Sequence, residues 1–366
     1  MINNAKRIII KIGSSLIIGE DGLVRANWLA ALAEDILALK KMGKEIIVVT
    51  SGAVGLGRHV LGYGTRALEL EEKQAAAACG QTPLFAQWAK ALSPIAPAQI
   101  LLTADDSTSR RRYLNARNTL DTLLANANVV PIINENDTVA TAELRFGDND
   151  RLSARVAQMA GADLLILFSD IDGLYSKDPR QHTDAEFIQE VREITADIEA
   201  MAGGAGSSVG TGGMATKIMA AKIATSAGCD MMIARGDMLH PLKSLQNGGK
   251  HTRFIAGDNP MNARKRWIAG DMHTLGAVLV DDGAVKALAS GKSLLPAGVK
   301  GVEGSFERGD TVAIRTLAGA LVGKGLIAYD SIDAAKIIGK QSFEFEAILG
   351  FKGRDVLIHR DDLVLS

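Results

Sequence analysis

Cysteine is nearly absent from this chain: 366 residues carry only Cys79 and Cys229. Two thiols give no disulfide framework and no zinc-ligand spacing, so stability must come from a packed core. Their alanine- and glycine-rich surroundings predict two small core residues in a reducing cytoplasm. Histidine is scarce as well, and the six present form no HxxxH or HxxE pair, which leaves no histidine metal set. No run of about 18 apolar residues occurs, so no membrane span is expected. The opening MINNAKRIIIKIG has a very short apolar run interrupted by Lys11 and lacks a small-residue cleavage site, a poor signal peptide. Lysine and arginine number 41 against 42 aspartates and glutamates, a net charge of −1 that argues against a dominant nucleic-acid or membrane-surface role.

What is present is a regular alternation. Short, mostly apolar runs recur at 7–12, 45–50, 98–102, 129–133, 163–168 and 231–234. Between them lie helical patterns at 27–42, 69–92, 110–126, 151–160 and 214–227, with a glycine-rich stretch at 52–64 that opens another helix. Strands that are apolar throughout and alternate with helices predict an α/β fold, a mainly parallel sheet covered on both faces. Ligands then bind beyond the carboxyl ends of the strands. After about Asn259 the texture changes: short strand-like runs at 277–280, 311–315, 326–328 and 356–358 are punctuated by glycine, with helices at 282–290 and 332–338, as in a small β-barrel. The expected organisation is a first domain over 1–258, a linker over 259–273, a second domain over 274–355 and a tail over 356–366.

The strand ends hold the polar chemistry. The first closes on Lys11-Ile12-Gly13-Ser14-Ser15, placing a lysine in an apolar strand where its ammonium needs a partner. Taken alone it could equally be an edge-strand lysine reaching water. The second closes on Ser51-Gly52-Ala53-Val54-Gly55-Leu56-Gly57, whose glycines suit an anion cradle at a helix start without matching GxGxxG. The fourth runs into Asn134-Glu135-Asn136-Asp137, and a second cluster, Gly147-Asp148-Asn149-Asp150, precedes a helix. Either cluster alone could be an Asx turn with a helix cap; two together can gather carboxylates and amides around an ammonium group. The fifth strand meets Ser169-Asp170-Ile171-Asp172-Gly173-Leu174-Tyr175, where Tyr175 could wall a nucleotide pocket. Residues 203–217 read GGAGSSVGTGGMATK, a glycine-rich loop or flexible linker that ends on Lys217 at a helix start. A cation there is unfavourable unless it serves an anion. Two lysines beside glycine-rich turns, with carboxylates available for Mg²⁺ and no Ser-His-Asp set or reactive cysteine, fit phosphoryl transfer. A carboxylate acceptor is already ionised and requires no general base.

The segments KIGSS, VVTSGAVGLG, PIINENDTVAT, FGDNDRLSA, SDIDGLYSKDPR and GTGGMATK, in this order, resemble the amino acid kinase family over about residues 6–258. The stretch 274–352 resembles a PUA domain. The resemblance implies a three-layer α/β/α sandwich with a mostly parallel eight-stranded sheet, plus a small β-barrel-like PUA domain. It implies ATP and L-glutamate as substrates, L-glutamyl 5-phosphate as product, and a first step in proline biosynthesis. Lys11 and Lys217 would then stabilise the transferring phosphoryl group, with Asp150 orienting them. Ser51, Asp137 and Asn149 would bind glutamate, with Asp148 nearby. Lys11, Ser169, Asp170 and the run Thr211, Gly212, Gly213, Met214, Ala215, Thr216 and Lys217 would contact ATP, with Mg²⁺ on its phosphates and no protein metal site. It further implies feedback inhibition by proline, a homo-oligomer (dimer or tetramer), hand-over of the acyl phosphate to glutamyl phosphate reductase, and no membrane partner. Two alternatives stand beside this reading. One is a kinase of the same fold acting on another carboxylate or on carbamate. The other is an RNA-binding regulator working through the C-terminal domain. Residues 274–366 hold 11 basic and 12 acidic side chains, a difference of −1, and few aromatics for base stacking, which speaks against the second.

Overall fold

The isoleucines of strand β1 (Arg7–Ile12) divide between two faces, as the two-residue period of a strand requires. Ile8, Ile10 and Ile12 enter one apolar cluster and Ile9 enters another, all without measurable exposure. A strand buried on both sides must lie inside a sheet covered by two layers. A computed structural model of the chain describes residues 2–139, 149–202, 213–270 and 274–365, in two compact units, Met1–Pro260 and Met261–Ser366.

In chain order the first unit continues with α1 (Ala26–Lys41), β2 (Glu45–Val49), α2 (Ala53–Val60), α3 (Leu70–Leu92), β3 (Ala96–Leu102), α4 (Arg110–Leu124) and β4 (Val129–Glu135). Then follow α5 (Asn149–Ala160), β5 (Leu164–Ser169), β6 (Glu190–Val191), α6 (Met214–Ser226), β7 (Asp230–Arg235) and β8 (His251–Phe254). The eight strands form one sheet in the order β3-β4-β2-β1-β5-β7-β8-β6. Pairing is parallel throughout except between β7 and β8. Trp28, Leu29, Leu32, Ile36 and Leu39 of α1 pack on one face, and Leu120, Val156, Ile218 and Ala221 of α4, α5 and α6 on the other. This is the mainly parallel sheet covered on both faces expected from the alternation, and the three-layer α/β/α sandwich implied by the resemblance. Each fully buried isoleucine or leucine contributes roughly 2 kcal/mol of transfer free energy.

The second unit holds β9 (Gly276–Val280), β10 (Val299–Gly304), β11 (Thr311–Thr316), β12 (Leu321–Leu326) and β13 (Leu363–Leu365), in the order β10-β9-β11-β12-β13, around its own apolar core. Five expectations are corrected. The strand expected at 326–328 is β12, Leu321–Leu326, whose LVGKGL glycines hid the pattern. The run 356–358 is no strand and makes only one isolated bridge, Leu294 to Ile358. The stretch 356–366 supplies β13, paired to β12, rather than a tail. Cys79 is exposed, because an alanine-rich helix does not reveal from composition which face is buried; Cys229 is buried as expected. Residues 259–273, read as a linker, contain a helix, Pro260–Gly270. Among the described residues no helix is long and apolar enough to cross a membrane.

Candidate active site

Strands β4, β2, β1 and β5 are parallel neighbours, so their carboxyl ends open on one side of the sheet. Lys11 lies in register with Val49 and Leu167, a central position that removes the edge-strand reading of this lysine. A cavity of about 590 Å³ sits above these ends, lined by Lys11, Gly13, Ser51, Asn134, Phe168 and Ser169 among others. Gly52 adopts φ 103°, in the left-handed region that favours glycine, and a Cβ there would press on Ile17 and Ile18. That turn lets β2 pass directly into α2, which forms one wall with Ala53, Val54, Gly55 and Arg58.

Asp150, only 1% exposed, stands between two buried lysines. Its Oδ1 lies 2.6 Å from Lys11 Nζ, its Oδ2 lies 3.2 Å from Lys217 Nζ, and the Thr216 hydroxyl donates to Oδ2 at 2.9 Å. Burial by itself would raise this carboxyl; the charges of Lys11 and Lys217 and the hydrogen bonds from Lys11 and Thr216 outweigh it and hold the group at about 2. Burial and the charge of Lys11 lower the Lys217 ammonium, against the pull of Asp150. One carboxylate thus fixes two ammonium groups side by side, both on the cavity lining. That is a preorganised clamp for an oxyanion-rich group.

A second polar pole forms around Asn149 at the start of α5. Its amide Nδ2 donates to the Thr50 carbonyl and Ser51 Oγ, both at 2.8 Å, and to Asn134 Oδ1 at 3.0 Å. Its Oδ1 is buried and has no hydrogen-bond partner among the described residues. A buried acceptor left open on a cavity wall invites a donor. Asp137, also on that lining, is 7% exposed. Burial first, and the neighbouring Glu135 second, raise its carboxyl to about 7. An arriving cation would relieve both effects, so the pole is matched to an ammonium group.

Of the residues singled out from the sequence, Lys11, Ser51, Asp137, Asn149, Ser169, Asp170 and Lys217 line this cavity, and Asp150 and Thr216 are bonded just behind it. Ser169 Oγ donates to Asp170 Oδ1 at 2.9 Å. Gly213, Met214 and Ala215 start α6 but lie outside the lining, and Asp148, Thr211 and Gly212 lie outside the described residues. Tyr175 also lies outside the lining: its ring meets Phe187 edge-on at 5.3 Å and its hydroxyl donates to Asp172. Sequence reasoning missed Arg58, Lys73 and Phe168, all on the lining. A signal existed for Lys73, a cation in the first turn of α3 where the helix dipole disfavours one.

A model of the "Amino acid kinase family" matches residues 6–235, and one of the "PUA domain" matches residues 276–349. The chain is 58% identical over 365 residues to a protein of Paramagnetospirillum magneticum named glutamate 5-kinase, an alignment that covers 99% of this chain and 98% of that one. Proteins with the same name from Agrobacterium fabrum and Rhizobium etli are 55% and 54% identical, covering 98% and 99% of this chain and 93% of each relative.

Proposed function

The chain belongs to the amino acid kinase family, and from that premise we propose that it transfers the γ-phosphoryl group of ATP to the side-chain carboxylate of L-glutamate, the first step of proline biosynthesis. The observation that carries the reading is the Lys11–Asp150–Lys217 bridge beside an ammonium-matched pole, within one cavity. A γ-carboxylate oxygen attacks the γ-phosphorus, the bond to the β-phosphate oxygen breaks, and L-glutamyl 5-phosphate and ADP result. The acceptor is ionised at neutral pH, so no base is required. Lys11 and Lys217 neutralise charge on the moving group, and Asp150 positions them. Asp137 and the open Asn149 Oδ1 take the substrate ammonium, while Ser51 and Asn149 Nδ2 hold the neighbouring wall.

Ser169 and Asp170 support an assignment to the nucleotide, together with the start of α6; the assignment extends to Thr211 and Gly212, and Asp148 is assigned beside glutamate. Among the described residues no three histidine, cysteine or acidic side chains cluster around a common point. With Asp150 committed to both lysines, this donor set suits Mg²⁺ carried on the ATP phosphates, and Asp170, whose Oδ1 accepts from Ser169, is a carboxylate on the same lining. The ion would neutralise phosphate charge. The reading includes a cytoplasmic homo-oligomer, inhibited by proline at or beside the glutamate site, that delivers its labile product to glutamyl phosphate reductase. The near-neutral C-terminal unit supports a structural or regulatory role over RNA binding.

The test is ADP release by the purified chain with Mg²⁺ and L-glutamate, L-aspartate, N-acetylglutamate or carbamate, with hydroxylamine trapping the acyl phosphate as a hydroxamate. Stimulation by glutamate, loss with EDTA and recovery on excess Mg²⁺ are expected. No stimulation by glutamate, or stronger stimulation by another acceptor, overturns the assignment.

A further inference from the structure

The described lining of the cavity carries more cations than the transfer step uses. Among the described residues four cations line the cavity, Lys11, Lys217, Arg58 and Lys73, against two carboxylates, Asp137 and Asp170. The first two share Asp150. Arg58 is half-buried and tethered, its Nη1 donating to the carbonyls of Gly64 at 2.9 Å and Arg66 at 2.8 Å. Lys73 is half-buried and has no ion pair or hydrogen bond among the described residues. An unpaired, partly desolvated ammonium on a cavity wall is unfavourable until an anion meets it.

The position of Lys73 follows from helix packing. Helices α2 and α3 run antiparallel in very close contact: a Cβ on Gly57 would collide with the Ala76 carbonyl, and one on Gly80 with the Ala53 carbonyl. Glycine at both points lets the backbones touch. The pairing of residue 57 with 76 sets Lys73, one turn earlier on α3, beside the Arg58 end of α2. From Ala53, next to Ser51, to Arg58 is five residues, about 7.5 Å of helix. Four carbon–carbon bonds separate the two carboxyl carbons of glutamate, roughly 5 Å when extended. With the γ-carboxylate at the two site lysines and the ammonium at Asp137, the cations left on the described lining for the α-carboxylate are Lys73 and Arg58, at this end of α2.

We propose that Lys73, supported by Arg58, binds the α-carboxylate of the amino acid substrate and makes the enzyme select an α-amino acid over an amine or amide carrying the same side-chain carboxylate. The inference rests on the glutamate reading and deepens it. Lys73 touches no reacting atom in this arrangement, so it governs binding and selectivity while the transfer step is left to the other lysines.

The experiment compares wild type, Lys73→Met and Lys73→Arg, with initial rates measured against L-glutamate, glutamate α-amide, 4-aminobutyrate and ATP. Lys73→Met should raise the glutamate KM roughly ten- to hundredfold, the range for one charge-assisted hydrogen bond. It should keep kcat within about threefold and leave the ATP KM unchanged. It should also shrink the preference for glutamate over the α-amide by the same factor, and Lys73→Arg should recover part of it. An unchanged glutamate KM in an active Lys73→Met enzyme overturns the proposal alone. A rise in the ATP KM instead assigns the lysine to the nucleotide and overturns it as well. A wild-type chain without glutamate-dependent ADP release overturns the functional reading beneath it.

Discussion

Asp137 should make glutamate capture depend on pH, and Asp137→Asn should abolish that dependence. Its carboxyl sits at about 7, raised by burial and then by Glu135. The ionised form binds the substrate ammonium. A group at about 7 is about one-eleventh ionised at pH 6 and about ten-elevenths at pH 8, so kcat/KM for glutamate should rise about tenfold between them and then level off. At saturating glutamate the dependence should weaken, because bound ammonium lowers the carboxyl's pKa. Asn cannot ionise, so the variant's profile should be flat, with the glutamate KM at pH 8 raised roughly ten- to hundredfold for one lost charge-assisted bond. The assay is ADP release at saturating ATP from pH 5.5 to 8.5, with the ATP KM as control. A wild-type profile flat below pH 8, or a variant that keeps the slope, refutes the reasoning. Stability gives a second readout. The folded pKa of this acid lies above its unfolded value near 4, so the neutral form stabilises the ligand-free protein below about pH 4, and that contribution is lost as pH rises to about 7. The difference is at most roughly 4 kcal/mol. Asp137→Asn should therefore melt higher than wild type above pH 7 and converge with it near pH 4.

Two other perturbations address the lysine clamp. Lys217→Ala should lower kcat by about a hundredfold or more with a smaller change in glutamate KM, since it acts on charge that develops during transfer; a rise in KM alone would rule out that role. Asp150→Asn leaves Lys11 and Lys217 buried without their shared countercharge, and thermal or denaturant unfolding should report a loss of roughly 3–5 kcal/mol together with a fall in kcat; unchanged stability would mean that the bridge does not hold the pair.

Much of the fold was legible because the signals are local. The isoleucines of 7–12 announce a strand buried on both sides, and the structure gives Arg7–Ile12 those limits. The repeat of Trp28, Leu29, Leu32, Ile36 and Leu39 announces a one-faced helix, found at Ala26–Lys41 with all five buried. Where glycine replaced side chains, as in LVGKGL of β12, no apolar period remained to read.

The sequence by itself determined the central strands and the longer helices of the first unit, and that polar motifs follow the strand ends, because each property depends on neighbours a few positions away. Only the tertiary structure decided that β4, β2, β1 and β5 lie side by side, since any strand order would satisfy the same local pattern. That order carries Lys11 to within 2.6 Å of Asp150 and sets Lys217, 67 residues beyond Asp150 in the chain, against the same carboxylate. It also sets Asn149 on Ser51, 98 residues away. Lys73 could be read locally as a misplaced charge at a helix start. Its place on the cavity wall depends on two glycines that allow α2 and α3 to touch, a contact between distant backbones that periodicity does not record.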